Sequence, residues 1–89
     1  MIREHIRFTG NVQGVGFRYT CSALAKRMGI SGWVRNDPDG AVTGEFQGTQ
    51  GDIEAIVTAL KLKRPIRIDY AERTSIPTQP AESGFRVTN

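Results

Sequence analysis

The sequence predicts a two-layer α/β (α+β) sandwich of ferredoxin-like type, with the order β-α-β-β-α-β and one short extra strand. Three observations carry this reading. Two stretches space their apolar residues as helices do: Phe17, Cys21, Leu24, Ala25 and Met28, then Ile53, Ile56, Val57 and Leu60. The segments around them alternate apolar and polar residues as half-buried strands do. Asp37-Pro38-Asp39-Gly40 is a strong turn signal between two such segments and makes them a hairpin. A helix with a single apolar stripe must bury it, so both helices cover one face of a mixed or antiparallel sheet of four to five strands.

In chain order, the first strand runs from about Arg3 to Thr9. Ile6 and Phe8 share one parity, and His5, Arg7 and Thr9 take the other. A glycine-rich loop follows, and then a helix over Phe17 to Met28. Lys26 and Arg27 fall in its last turn, Gly29 stops it, and Tyr19 and Ser22 fall off its apolar stripe. Ser31 to Asn36 and Ala41 to Gln47 are the hairpin strands. On the second of these, Val42 and Phe46 face inward and Thr43, Glu45 and Gln47 face solvent. Thr49 caps a second helix with Asp52 in its first turn, and Pro65 prevents its continuation. Ile66, Ile68 and Tyr70 alternate with Arg67 and Asp69 in a fourth strand. Ile76 to Ser83, with two prolines, reads as a loop, and Phe85 to Val87 as a short last strand.

At 89 residues the chain is expected to form one domain, residues 1–89, with one modest core. A hydrophobic fraction of 38% and a charged fraction of 24% fit a soluble globular protein. No apolar run approaches the ~18 residues of a membrane span, and the first residues have no apolar signal-peptide core. A lone cysteine excludes an internal disulfide and fits the reducing cytoplasm. One cysteine and one histidine give no metal-ligand spacing, so neither metal nor cofactor is expected. Twelve Lys+Arg against nine Asp+Glu leave a net charge of +3, which favours anionic small molecules. The basic residues form no run of the kind that binds nucleic acid.

The stretch that carries chemistry is Gly10-Asn11-Val12-Gln13-Gly14-Val15-Gly16-Phe17-Arg18. Three glycines permit a tight turn whose amides converge, and a helix N-terminus adjoins it. Arg18 lies in the first helical turn, where a cation is poorly placed unless an anion is bound there too. Its planar fork suits phosphate oxygens. The loop is not a dinucleotide fingerprint, because Tyr19 stands where the third glycine belongs. It is not a Walker loop, because Val15 occupies the second glycine position and no lysine follows.

What the loop does resemble is the signature V-Q-G-V-x-F-R of acylphosphatases, matched without a gap from Val12 to Arg18. Gly32-Trp33-Val34-Arg35-Asn36, followed by Asp39-Gly40 and Val42, is similar to that family's second signature. From the residues alone, Asn36 reads as an Asx-type cap of the hairpin turn. The resemblance implies a different role, in which the asparagine orients the attacking water. It further implies that Arg18 and the backbone amides of Val12, Gln13, Gly14, Val15, Gly16, Phe17 and Arg18 bind the phosphate of a small acyl phosphate. The likeness covers nearly the whole chain and departs at Thr88, where many relatives carry an aromatic. It implies a small stand-alone acylphosphatase; small size and one short exposed strand make a monomer the expectation, and the lone cysteine makes the cytoplasm its expected place.

An acyl phosphate also suits what the chain lacks. No convincing general base or Mg²⁺-holding carboxylate pair is evident. A carboxylate leaves without protonation, and a loose transition state spreads charge that amides and an arginine can stabilise. His5 reads as an exposed strand histidine without a carboxylate partner, Cys21 as a buried core thiol, and Trp33 as hairpin packing. Asp37 and Asp39 belong to the turn. Two other readings stand beside the enzyme. One is a non-catalytic phosphate- or ligand-binding domain of this fold, such as the one that opens hydrogenase-maturation carbamoyltransferases. The other is an RNA-binding module, whose paired exposed aromatics are missing from the first and third strands.

Overall fold

A computed structural model describes all residues, 1–89. The elements are β1 (Ile2–Asn11), α1 (Phe17–Met28), β2 (Ser31–Asn36), β3 (Val42–Gly48), α2 (Gln50–Leu62), β4 (Arg67–Ile76) and β5 (Phe85–Val87). The sheet order is β4-β1-β3-β2-β5. All neighbours are antiparallel except β2 and β5, which run parallel. This is the ferredoxin-like sandwich, with both helices on one face of a mixed sheet.

Side chains from the inner sheet face and the two helix stripes form one core. Ile6, Phe8, Val34, Val42 and Phe46 meet Cys21, Ala25, Ile53, Ile56 and Leu60 there, all buried. A chain of aromatic contacts crosses it. Phe17 lies 5.0 Å from Phe8, Phe8 lies 6.2 Å edge-on to Phe46, and Phe46 stacks on Phe85 at 5.6 Å. These contacts pin the start of α1 to β1, and β5 to the hairpin. Gly29 ends α1 in the left-handed region, and the Thr49 hydroxyl accepts from the Asp52 N–H at 3.1 Å. Thr88 continues the β2–β5 pairing, its N–H donating to the Val34 carbonyl at 2.8 Å.

Three expectations are corrected. The fourth strand does not end near Tyr70 but continues to Ile76. It is an edge strand with one neighbour, so its distal half needs no apolar alternation to pair with β1. Between Thr9 and Gly10 the β1–β4 register shifts, with Thr9 opposite Tyr70 and Gly10 opposite Ile68. That bulge turns Tyr70 away from Ile68 and out to solvent, against the simple alternation. On β3, Thr43 and Gln47 are buried rather than solvated. The hydroxyl of Thr43 donates to the Asp37 carboxylate, and Gln47 exchanges two hydrogen bonds with the backbone of Gln79. The loop of residues 77–84 therefore roofs part of the outer sheet face.

Candidate active site

A cavity of about 410 Å³ opens where the β1–α1 loop meets the end of β2. That size lies within the ~300–1,000 Å³ usual for small-ligand sites. Val12, Gly14, Gly16, Phe17 and Arg18 line one side, and Asn36 lies across from them. A larger depression of about 650 Å³ lies at the C-terminal end of α2 beside Lys61, Arg64 and Arg67 and reaches Asn11 at the end of β1.

The loop's geometry follows from its glycines. Gly14 and Gly16 have φ of 74° and 79°, in the left-handed region that other residues resist. An added Cβ would meet no atom within 4 Å at either position, so backbone conformation rather than space demands glycine. Gly16 is the N-cap of α1 and has no side chain to cap it, and the first turn holds no acidic residue. The first helical bond runs from the Thr20 N–H to the Gly16 carbonyl at 3.0 Å. The backbone N–H groups of residues 13 to 19 donate to no protein acceptor. The site therefore holds a run of free donors, the positive end of a helix and one guanidinium.

Not every residue of the signature lines the cavity. The Gln13 side chain turns to the hairpin, where Nε2 donates to the carbonyls of Asp37 at 2.7 Å and Ala41 at 2.9 Å. Val15 packs against the core. Gln13 and Val15 thus face the cavity through their backbone at most. Arg18 Nη1 donates to the Asn89 carbonyl at 2.5 Å, and Asn89 Nδ2 donates to the Asn36 carbonyl at 3.2 Å. The Asn36 carboxamide has no protein partner. Asn36 also ends its strand beside a turn that caps itself: the Asp37 N–H bonds to the Ala41 carbonyl, and Asp39 accepts from the Ala41 N–H. The turn-capping role read from the residues alone is thereby filled by Asp37 and Asp39.

The other candidates lie elsewhere. His5 does have a carboxylate partner, contrary to expectation: its Nδ1 lies 2.8 Å from Glu45 Oε2, on the outer sheet face. The pair comes from the β1–β3 register, which sets His5 opposite Glu45 and which alternation alone does not give. Burial tends to raise the Glu45 carboxyl, but hydrogen bonds from His5 and Arg3 outweigh it and hold the group below its usual range. Cys21 is fully buried, and burial pushes its thiol far up, away from the reactive thiolate. Trp33 lies on the outer face under the Arg35 guanidinium, 5.0 Å from its ring centre. No three His, Cys, Asp or Glu side chains group as metal ligands. No helix is long and apolar enough to cross a membrane. Two cavity residues escaped the sequence reading, Tyr19 and Val87. They are far apart in the chain, and the pairing of β5 with β2 and its packing against α1 bring them together.

Comparison with known proteins agrees with this architecture. The family model described as Acylphosphatase matches residues 4–87. An acylphosphatase of Bifidobacterium longum is 48% identical over 62 residues, 70% of this chain. That match spans 64% of the relative, under two thirds of its length. An acylphosphatase of Thiobacillus denitrificans is 40% identical over 85 residues, covering 91% of this chain and 90% of the relative. The crystal structure of acylphosphatase from Bacillus subtilis superposes with a TM-score of 0.92 at 28% identity, over 100% of both chains.

Proposed function

The chain belongs to the acylphosphatase family, and on that premise we propose that it hydrolyses the carboxyl–phosphate bond of small acyl phosphates to carboxylate and inorganic phosphate. The observation that carries the reading is the run of unpartnered amides from Gln13 to Tyr19 beside Arg18, at one cavity with Asn36.

In this reading the loop amides and the Arg18 fork hold the non-bridging phosphate oxygens. They stabilise the charge that spreads over these oxygens as the bond to the acyl oxygen lengthens. The Asn36 carboxamide oxygen accepts a hydrogen bond from the attacking water and so aims the water's lone pair in line with the departing carboxylate. The water's proton passes to a phosphate oxygen, and the carboxylate leaves without protonation. His5 takes no part, since it is engaged with Glu45 on the outer face. One acylphosphatase-like domain, working as a cytoplasmic monomer, completes the proposal.

The test is phosphate release from benzoyl phosphate in the presence of EDTA. Wild type is expected to turn over without added metal. Folded Arg18→Ala and Asn36→Ala are each expected to lose ~10²–10³ in kcat, the scale of one lost positioning donor. A folded wild type without turnover would reduce the loop to a phosphate-binding element.

A further inference from the structure

A phosphate seated in the loop keeps one oxygen bridged to the acyl carbon, so the acyl group must project toward the rim of the cavity. The walls differ in chemistry there. Val12 and Phe17 are buried beneath the loop, and Arg18 and Asn36 are polar. The apolar rim consists of Tyr19, 81% exposed, and Val87, 46% exposed. Neither belongs to the core cluster, and the Tyr19 hydroxyl has no hydrogen-bond partner in the protein. Both also line an adjoining depression of about 280 Å³ with Ser22, Ala23 and Lys26. Positions 19, 22, 23 and 26 recur at helical spacing and form a second stripe on α1, which the buried Ser22 joins to the stripe of Phe17, Cys21 and Ala25. The phosphate cradle thus continues into an apolar shelf along α1 and β5.

We propose that Tyr19 and Val87 form the acyl-group subsite of this chain, and that these two side chains set how far it discriminates an aryl acyl phosphate from acetyl phosphate. This rests on the hydrolase reading of the same cavity. An aryl ring bound here covers the Tyr19 face and the Val87 methyls. An acetyl methyl is too short to cover both, and gains little. The shelf lies beyond the reacting atoms, so it binds ground and transition states alike and acts through KM.

The experiment measures kcat and KM for benzoyl phosphate and acetyl phosphate. It uses wild type, Tyr19→Ala, Tyr19→Phe, Val87→Ala and Tyr70→Ala, each checked for folding by circular dichroism. Tyr70 is a second exposed tyrosine, on the edge strand away from the cavity. In Tyr19→Ala, the benzoyl-to-acetyl ratio of kcat/KM should fall by about five- to twentyfold through a higher benzoyl KM, the scale of one lost apolar contact. Val87→Ala should move it in the same direction by less. Tyr19→Phe and Tyr70→Ala should keep the wild-type ratio. A wild-type ratio in folded Tyr19→Ala, or an equal loss on both substrates, overturns the shelf and leaves the hydrolase reading standing. A folded wild type that hydrolyses neither substrate overturns both.

Discussion

Arg18 occupies a position where folding alone gives little reason for a cation. It stands in the first turn of a helix whose N-cap is a glycine and whose first turn has no acid to offset the partial positive charge. Its one hydrogen bond within the protein goes to the carbonyl of Asn89, and that bond is exposed. An arginine kept for its bond to Asn89 and an anion-binding one therefore predict opposite results. If Arg18 serves an anion, Arg18→Ala should be more stable than wild type by ~0.3–1 kcal/mol at low salt, because an uncompensated cation leaves the helix N-terminus. The same variant should be almost inactive. Arg18→Lys keeps the charge but not the planar fork, so its kcat/KM should fall by about 10- to 100-fold, less than for alanine. Urea unfolding with parallel kinetics checks both. Lower stability of Arg18→Ala with little change in rate would make Arg18 a structural residue. This residue and its glycines were legible in the sequence, because positive φ and helix polarity attach to residue type and local position. Tyr19 was not, because what distinguishes it is a neighbour from β5.

Between elements, the joint that matters is the one from the β1–α1 loop to the β2–β3 hairpin. It passes through Gln13, whose amide bridges the Asp37 and Ala41 carbonyls just past Asn36. Each carbonyl keeps a backbone donor as well, Gly40 for Asp37 and Asp37 for Ala41. Truncation therefore strips a second donor rather than orphaning an acceptor. Gln13→Ala should cost about 1 kcal/mol, the ordinary net worth of such bonds. Its larger effect should be on rate: the hairpin end that carries Asn36 loses its tether to the loop, so kcat should fall more than KM rises. Unchanged kcat with the stability loss alone would show that the tether does not position Asn36. The elements themselves were read correctly wherever one face is buried, since burial imposes a period on the sequence. β4 beyond Tyr70 was missed because an edge strand with one partner carries no such period. The bulge at Gly10 was missed because it depends on register between strands. The His5–Glu45 pair has the same cause: residues forty apart face each other only once β1 and β3 are aligned.

At the scale of the molecule, the two sheet faces divide the work. The inner face holds the core, and the outer face is bound by charge. Arg3, 2% exposed, lies between Glu45 at 3.0 Å and Glu82 at 2.6 Å. Glu82 belongs to the roofing loop, so this arginine ties that loop to the sheet. Farther along the same face, Asp37 takes bonds from Arg35 and Thr43, and Arg7 pairs with Asp39. Burial works to raise Asp37 and Glu45, but their hydrogen-bonded partners prevail and both carboxyls are lowered. A carboxyl lowered in the folded state contributes stability that is present above its unfolded pKa and lost as pH falls through the folded one. The ordinary values are 3.8 for Asp37 and 4.5 for Glu45, so stability should hold from neutral pH to about 4.5 and decline below it. Protonation of Glu45 also leaves Arg3 with one carboxylate where it had two, in a site where an unbalanced charge is costly. Glu45→Gln removes that titration while keeping a hydrogen-bond acceptor. The variant should be less stable at pH 7, and its thermal midpoint should fall less between pH 5 and pH 3 than that of wild type. Parallel curves for the two proteins across that interval would place the acid sensitivity outside this face. The cavity contains none of these carboxyls, so activity measured under conditions where the protein stays folded should follow the loop and Asn36 rather than the titration of the outer face.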